Sequence, residues 1–247
     1  MNNYKSSAEL KALAKEHMFG KYGTAIGASV LASMITGFLS LFCTMFLNVS
    51  TGIGVILNFL VSFVISVLTG LFTSGSSYLY LKISCGRPIA VSDIFYGFKL
   101  FPNKALFIQL YRSIWIYLGM LPMTAFSFLL RQNPQSAVLM LLYSLSFLLY
   151  GVVWVMVSLI YSQVFFLLHD FPNYSVKELL VMSRKLMKGS KGRFFYMMAG
   201  FIPLMLLCTL SCGIAYLWLA PYINTSCSEF FLDLIQNRQQ AQKASEF

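Results

Sequence analysis

The chain has 247 residues, of which 58% are hydrophobic and 11% charged, with a formal net charge of +10 and a mean hydropathy of +0.72. A soluble domain carries about 25% charged residues, so a water-facing surface of this size is excluded, as are intrinsic disorder and, with five cysteines in so long a chain, a secreted disulfide scaffold. What remains is an all-α polytopic membrane helix bundle, one integral membrane domain over residues 1–247.

Taken in chain order, residues 1–22 are polar and lack an apolar core followed by a small-residue cleavage site. No cleavable signal peptide is expected, and the first span reads as an uncleaved anchor. A crossing helix needs about 20 mostly apolar residues. Stretches 24–47 and 53–81 meet that without a charge, 105–130 with Arg112 as the interruption, and 137–168 again without one. The last apolar block, 194–234, is too long for one span. Gly213 lies in its middle and glycine favours turns, so the block divides into 194–210 and 214–234. Six transmembrane helices in three hairpins result. A rival count of five would leave Tyr222 onward outside.

Charge bias favours six. The links 48–52, 131–136 and 211–213 hold one basic residue, Arg131, out of 18 Lys and Arg. The positive-inside rule then puts the N-terminus in the cytoplasm, and six spans return Arg238 and Lys243 there. Arg112 lies eight residues past Lys104, about 12 Å of helix rise, so its side chain is expected to snorkel to the inner interface.

Two segments look like copies. Ser6, Glu9, Leu10, Met18, Gly20 and Gly23 recur 169 positions on as Ser175, Glu178, Leu179, Met187, Gly189 and Gly192. Ser-x-x-Glu is a capping box that starts a helix, and the glycines suit a helix end and a turn. A degraded third copy is read at Ser92, Asp93, Gly97 and Lys99. Each hairpin is thus expected to follow a short cytoplasmic amphipathic helix. In 175–188, Val176, Leu179, Leu180 and Met187 share one face, with Lys177, Arg184 and Lys188 opposite, a pattern that suits a helix lying in the interface. Lys177, Arg184, Lys185, Lys188, Lys191 and Arg193 are the candidate contacts for anionic lipid headgroups or for a membrane protein partner. Topology determination alone also explains this bias.

Polar side chains inside the spans fall at helical spacing. The first span carries Ser29, Ser33, Thr36, Ser40 and Thr44. The second carries Asn58, Ser62, Ser66, Thr69, Thr73 and Ser77. Hydroxyl and small residues mark helix–helix seams in lipid, so Asn58, Ser62, Ser66, Thr69 and Thr73 are read as an interhelical polar seam packed against the first span. A hydrated conduit is the alternative. Conduits for ions usually show buried charges, and the first five spans hold no acidic residue near the bilayer centre. Glu229 and Asp233 lie near the inner end of the sixth. Pro122, Pro203 and Pro221 should kink helices or open turns.

No catalytic, cofactor or metal-ligating set is found. The two histidines and five cysteines show no zinc spacing, Cys208 and Cys212 read as apolar packers, and no phosphate loop occurs. The basic residues hug the membrane without an interleaved aromatic surface, which argues for phospholipid and against nucleic acid as the counter-charge.

The run Asp170-Phe-Pro172, Ser175-Val-Lys-Glu178, Ser183-Arg184-Lys185-Leu-Met187-Lys188-Gly189-Ser-Lys191 and Trp218-Leu-Ala-Pro221-Tyr222 resembles the bacterial integral membrane family called domain of unknown function 975. Ser92-Asp93-Ile-Phe95-Tyr-Gly97-Phe98 and Glu9-Leu10-Lys11 are similar too. Phe201-Ile-Pro203 departs from the family, which tends to have Gly-Trp there. The resemblance implies a bacterial plasma membrane location and no established activity. Two functions are weighed: a non-enzymatic membrane module that meets lipids or proteins through its basic cytoplasmic helices, and a transporter or exporter of a small or amphipathic solute.

Overall fold

The computed structural model describes residues 4–45, 47 and 51–245. Residues 48–50 of the first link lie outside the described residues, as does the side chain of Lys243. Every regular element among the described residues is helical. The order is α1 (Ser7–His17), α2 (Tyr22–Met45), α3 (Gly52–Ser84), a 3-10 turn (Val91–Phe95), α4 (Tyr96–Lys99), α5 (Pro102–Gln132), α6 (Ala137–Ile160), α7 (Val164–Asp170), α8 (Val176–Met187), α9 (Lys191–Ala199), α10 (Ile202–Leu210) and α11 (Tyr216–Ser245).

Five stretches are long and apolar enough to cross a membrane: Tyr22–Met45, Gly52–Ser84, Pro102–Gln132, Ala137–Asp170 and Lys191–Leu210. These five make the chain a membrane-embedded helical protein, and α11 is less apolar than any of them. Two of the stretches are broken. The fourth turns at 161–163 between α6 and α7, and the fifth at 200–201 between α9 and α10. Pro203 sits in the first turn of α10, where its missing N–H costs nothing. A further turn separates α10 from α11, with Cys212 and Gly213 at φ +51° and +87°.

The two expected capping boxes form with nearly identical geometry. Ser6 accepts from the Glu9 N–H at 3.3 Å while Glu9 accepts from the Ser6 N–H at 2.6 Å. Ser175 and Glu178 repeat this at 3.4 and 2.7 Å. Leu10, Ala14 and Met18 of the first copy are buried, as are Leu179, Ser183 and Met187 at the equivalent places. Gly20 and Gly189, also equivalent, both take positive φ, +74° and +85°, a conformation that costs an L side chain about 1 kcal/mol or more. At the degraded third copy a 3-10 turn forms instead, and Asp93 accepts from the Ala90 N–H at 2.9 Å.

Burial is lopsided. α2 buries Ala25 and Ala28 near its start, α3 buries chiefly residues from Leu71 to Ser84, and α5 buries Ala105, Ile108 and Ser113 in its first half. The opposite ends expose large apolar groups: Phe38, Leu41 and Met45 on α2, Ile53, Ile56 and Leu60 on α3, Val138 and Leu141 on α6. Lipid hydrocarbon is as apolar as leucine, so such surfaces gain nothing from burial in protein. The packed end is where the connecting segments dock. There α3 touches α1, α2, the 3-10 turn, α4, α5, α7 and α11. The docking is closest at two glycines. A Cβ on Gly75 would lie 2.6 Å from the Ile94 carbonyl carbon, and one on Gly97 would lie 2.9 Å from that of Leu71 and 3.0 Å from the Gly75 nitrogen. Backbone thus meets backbone, which only glycine permits.

Candidate functional site

The basic residues are carried mainly by α8. Its N-terminus is set by the Ser175–Glu178 box, whose hydrogen bonds to Ser175 hold the Glu178 carboxyl below its ordinary range. Leu179, Leu180, Leu186 and Met187 are buried against the end of the bundle, where α8 touches α5, α6 and α7. The apolar face thus packs on protein, and the opposite face presents Lys177, Arg184, Lys185 and Lys188 outward. Ser183, fully buried, donates to the Ile160 carbonyl at 2.9 Å and fixes the helix against the end of α6.

The six basic candidates divide. Lys177, Lys185 and Lys188 are exposed and Lys191 is half-buried at the start of α9. Arg184 donates to the Tyr161 hydroxyl at 2.7 Å, which raises the guanidinium pKa further. Arg193 points inward. It donates to Asp233 at 2.9 Å and to the Lys5 carbonyl at 2.8 Å, and its guanidinium lies 4.4 Å from the Tyr4 ring centroid. Arg193 therefore ties α9, α11 and the N-terminal segment together. Glu229, one turn before Asp233 on α11, accepts from His17 Nδ1 at 2.7 Å. Both carboxylates are buried, and each is paired as buried charge requires. Sequence reasoning placed Glu229 and Asp233 but not their partners. Two acids four apart, flanked by Phe230, Phe231, Leu232 and Leu234, were the available signal, since i and i+4 share a face.

The seam residues also divide. Asn58 and Ser62 line a cleft of about 160 Å³ between α3 and α5, with Tyr117, Thr124, Ser127 and Arg131. Ser66 shares a hydrogen bond with Ser113 of α5 at 2.9 Å. Thr69 and Thr73 instead face a cleft of about 310 Å³ that they share with Ser29, Ser33 and Thr36 of α2, Ser76 and Tyr80 of α3, and Tyr216 and Asn224 of α11. The first two spans were expected to pack stripe against stripe. They meet across this cleft near the packed end, where Ser29 and Tyr80 share a 2.7 Å hydrogen bond. Farther out, Thr44 donates back to its own helix, to the Ser40 carbonyl at 2.8 Å. At about 100° per residue Thr69 and Thr73 point between the directions of Asn58 and Ser66, so the division comes from the neighbours: α5 faces the stripe toward the start of α3, and α2 with α11 faces it toward the packed end.

Arg112 was expected to snorkel. Its guanidinium lies 5.6 Å from the Phe165 ring centroid of α7 and donates to Gln109 at 3.3 Å, with Nε buried and without a partner among the described residues. It is directed between α5 and α7, which touch one another there. Lys82 and Asp93 pair at 2.8 Å, and His169 Nε2 donates to the Ser74 carbonyl at 2.8 Å; these contacts dock the 3-10 turn and α7 on α3. No cluster of three or more His, Cys, Asp or Glu able to hold a metal ion is found among the described residues.

A family model described as Protein of unknown function (DUF975) matches residues 1–238. No curated protein and no solved structure matches the chain.

Proposed function

The chain belongs to the family described as Protein of unknown function (DUF975), and from that premise we propose that it is a non-enzymatic integral membrane module of the bacterial plasma membrane. It meets the anionic cytoplasmic leaflet, or a membrane protein partner, through its basic connecting helices. The observation that carries this reading is α8: its apolar face is spent on the bundle, so Lys177, Lys185 and Lys188 stand outward with no acidic partner among the described residues. Each basic group near an acidic leaflet contributes about 1 kcal/mol.

In this reading six helices cross the bilayer, with α9–α10 leaving the cytoplasm and α11 returning. The Arg193–Asp233 pair supports it, since it brings the start of α9 beside the later half of α11. The low apolarity of α11 has a local cause. Thr225, Ser226, Ser228, Glu229 and Asp233 are all buried, so they face protein rather than lipid. Both chain ends then lie in the cytoplasm, together with α1, α4 and α8.

The test is proximity cross-linking in native membranes, comparing the parent with a Lys177→Glu, Lys185→Glu, Lys188→Glu variant. A changed set of lipid or protein neighbours is expected; an unchanged set refutes the proposal. The hydroxyl-lined cleft between α2, α3 and α11 favours a second reading, passage of an uncharged polar or amphipathic solute. Uptake or efflux by proteoliposomes that Thr69→Val and Thr73→Val abolish would select it.

A further inference from the structure

A third concavity lies between α10, the start of α11 and the end of α1, about 360 Å³ in volume, within the range of about 300–1,000 Å³ that small-molecule sites occupy. Its walls are apolar: Leu204, Leu207 and Cys208 from α10, then Ala215, Trp218 and Leu219 from the turn and α11. One end is different. Lys15, in the last turn of α1, stands there with Tyr22 and Tyr222. Beneath this end Phe201 is fully buried, edge-on to Tyr222 at 5.2 Å, with Lys11 Nζ 4.0 Å from its ring centroid. From Ile202 to Cys208 on α10, and from Tyr216 to Tyr222 on α11, is six residues, about 9 Å of helix rise. The slot therefore has a cationic, hydroxylated mouth and a greasy depth.

We infer that this slot is a phospholipid site: one acyl chain of an anionic phospholipid of the cytoplasmic leaflet lies between α10 and α11, with its phosphate on Lys15. The inference rests on the proposed orientation, which puts α1 at the cytoplasmic face. The charge at the mouth complements a phosphodiester that carries net negative charge, and the slot is continuous with surface that faces hydrocarbon. Leu206, Leu210 and Leu217 beside it are exposed, as they would be against lipid. Lys15 is separate from the basic face of α8, so a site here is a second and more specific contact than general attraction to the leaflet.

Trp218 in the slot wall supplies the probe. In a Trp115→Phe, Trp154→Phe background it is the remaining one of three tryptophans, and its fluorescence in vesicles is quenched by brominated phosphatidylglycerol or brominated phosphatidylcholine. The anionic lipid should bind at Trp218 about fivefold more strongly than the zwitterionic one, the preference one lysine supplies. Lys15→Gln should reduce that preference to about one, and Lys15→Arg should keep it. Ala215→Leu, which fills the slot, should lower quenching by both lipids. A preference that survives Lys15→Gln overturns the inference, as does its absence from the parent. Should it instead vanish in a Lys177→Gln, Lys185→Gln, Lys188→Gln variant while surviving Lys15→Gln, the slot falls and the α8 reading stands.

Discussion

Replacing Gly97 by alanine tests the docking of the 3-10 turn and α4 on α3. The new Cβ would stand 2.9 Å from the Leu71 carbonyl carbon and 3.0 Å from the Gly75 nitrogen, against the 3.4–4 Å of ordinary contact, with the Leu71 oxygen nearer still. All three atoms are backbone, so no side chain can rotate away. α4 must retreat bodily, and with it go three contacts that depend on its seat: the burial of Ile94, the 4.4 Å stack of Tyr96 on Tyr78 and the 2.8 Å Lys82–Asp93 pair. Overpacking of a tight site costs about 1–3 kcal/mol, and loss of an aromatic pair adds about 0.5–1.5 kcal/mol. A destabilisation of about 3 kcal/mol follows. Gly37 on α2 is the control, with nothing within 4 Å of its Cβ position; there alanine should stabilise by about 0.5–1 kcal/mol through helix propensity. Unfolding by SDS in mixed micelles, followed by tryptophan fluorescence, measures both. Were Gly97→Ala to unfold within 0.5 kcal/mol of the parent, the backbone contact between α3 and α4 would be wrong.

Asp233→Asn leaves Arg193 facing a neutral partner inside the protein and should cost about 3 kcal/mol; Arg193→Met combined with Asp233→Leu should recover part of the loss, and strict additivity in the double-mutant cycle would refute the pairing. Ser66→Ala should cost about 0.6 kcal/mol, the worth of an interhelical hydrogen bond in a membrane protein, and Ser113→Ala should add nothing further. The capping boxes give a pH dependence: hydrogen bonds from Ser6 and Ser175 hold the Glu9 and Glu178 carboxyls below their ordinary 4.5. Their contribution is thus complete above pH 4.5 and lost as pH falls through the folded-state values. Protease nicking at α1 and α8 should rise in that window, and a Ser6→Ala, Ser175→Ala variant should be nicked with less dependence on pH. A tag fused after Phe247 should resist an impermeant reagent on intact cells; its labelling would refute six spans.

Features that depend on neighbours along the chain were legible before any tertiary contact was known. The capping boxes at Ser6 and Ser175, the turn at Gly213 and the apolar runs of α2, α3, α5 and α6 each follow from residues within one or two helical turns. Membership of the family was legible in the same way, from the run between Asp170 and Tyr222. What lay beyond reach was the choice of partner. The α3 stripe is visible as spacing, yet that Ser66 meets α5 while Thr73 meets the cleft with α2 follows from where the neighbouring helices stand. The same holds for Arg193, which reads as one more cation of a basic face until Asp233, 40 residues away, is seen beside it. Hydropathy and capping are sums over local terms, whereas a pair of buried charges or a backbone contact at Gly97 exists only once distant segments share a site. In lipid, where burying an apolar face gains little, those distant polar and close-packed contacts decide how the helices assemble.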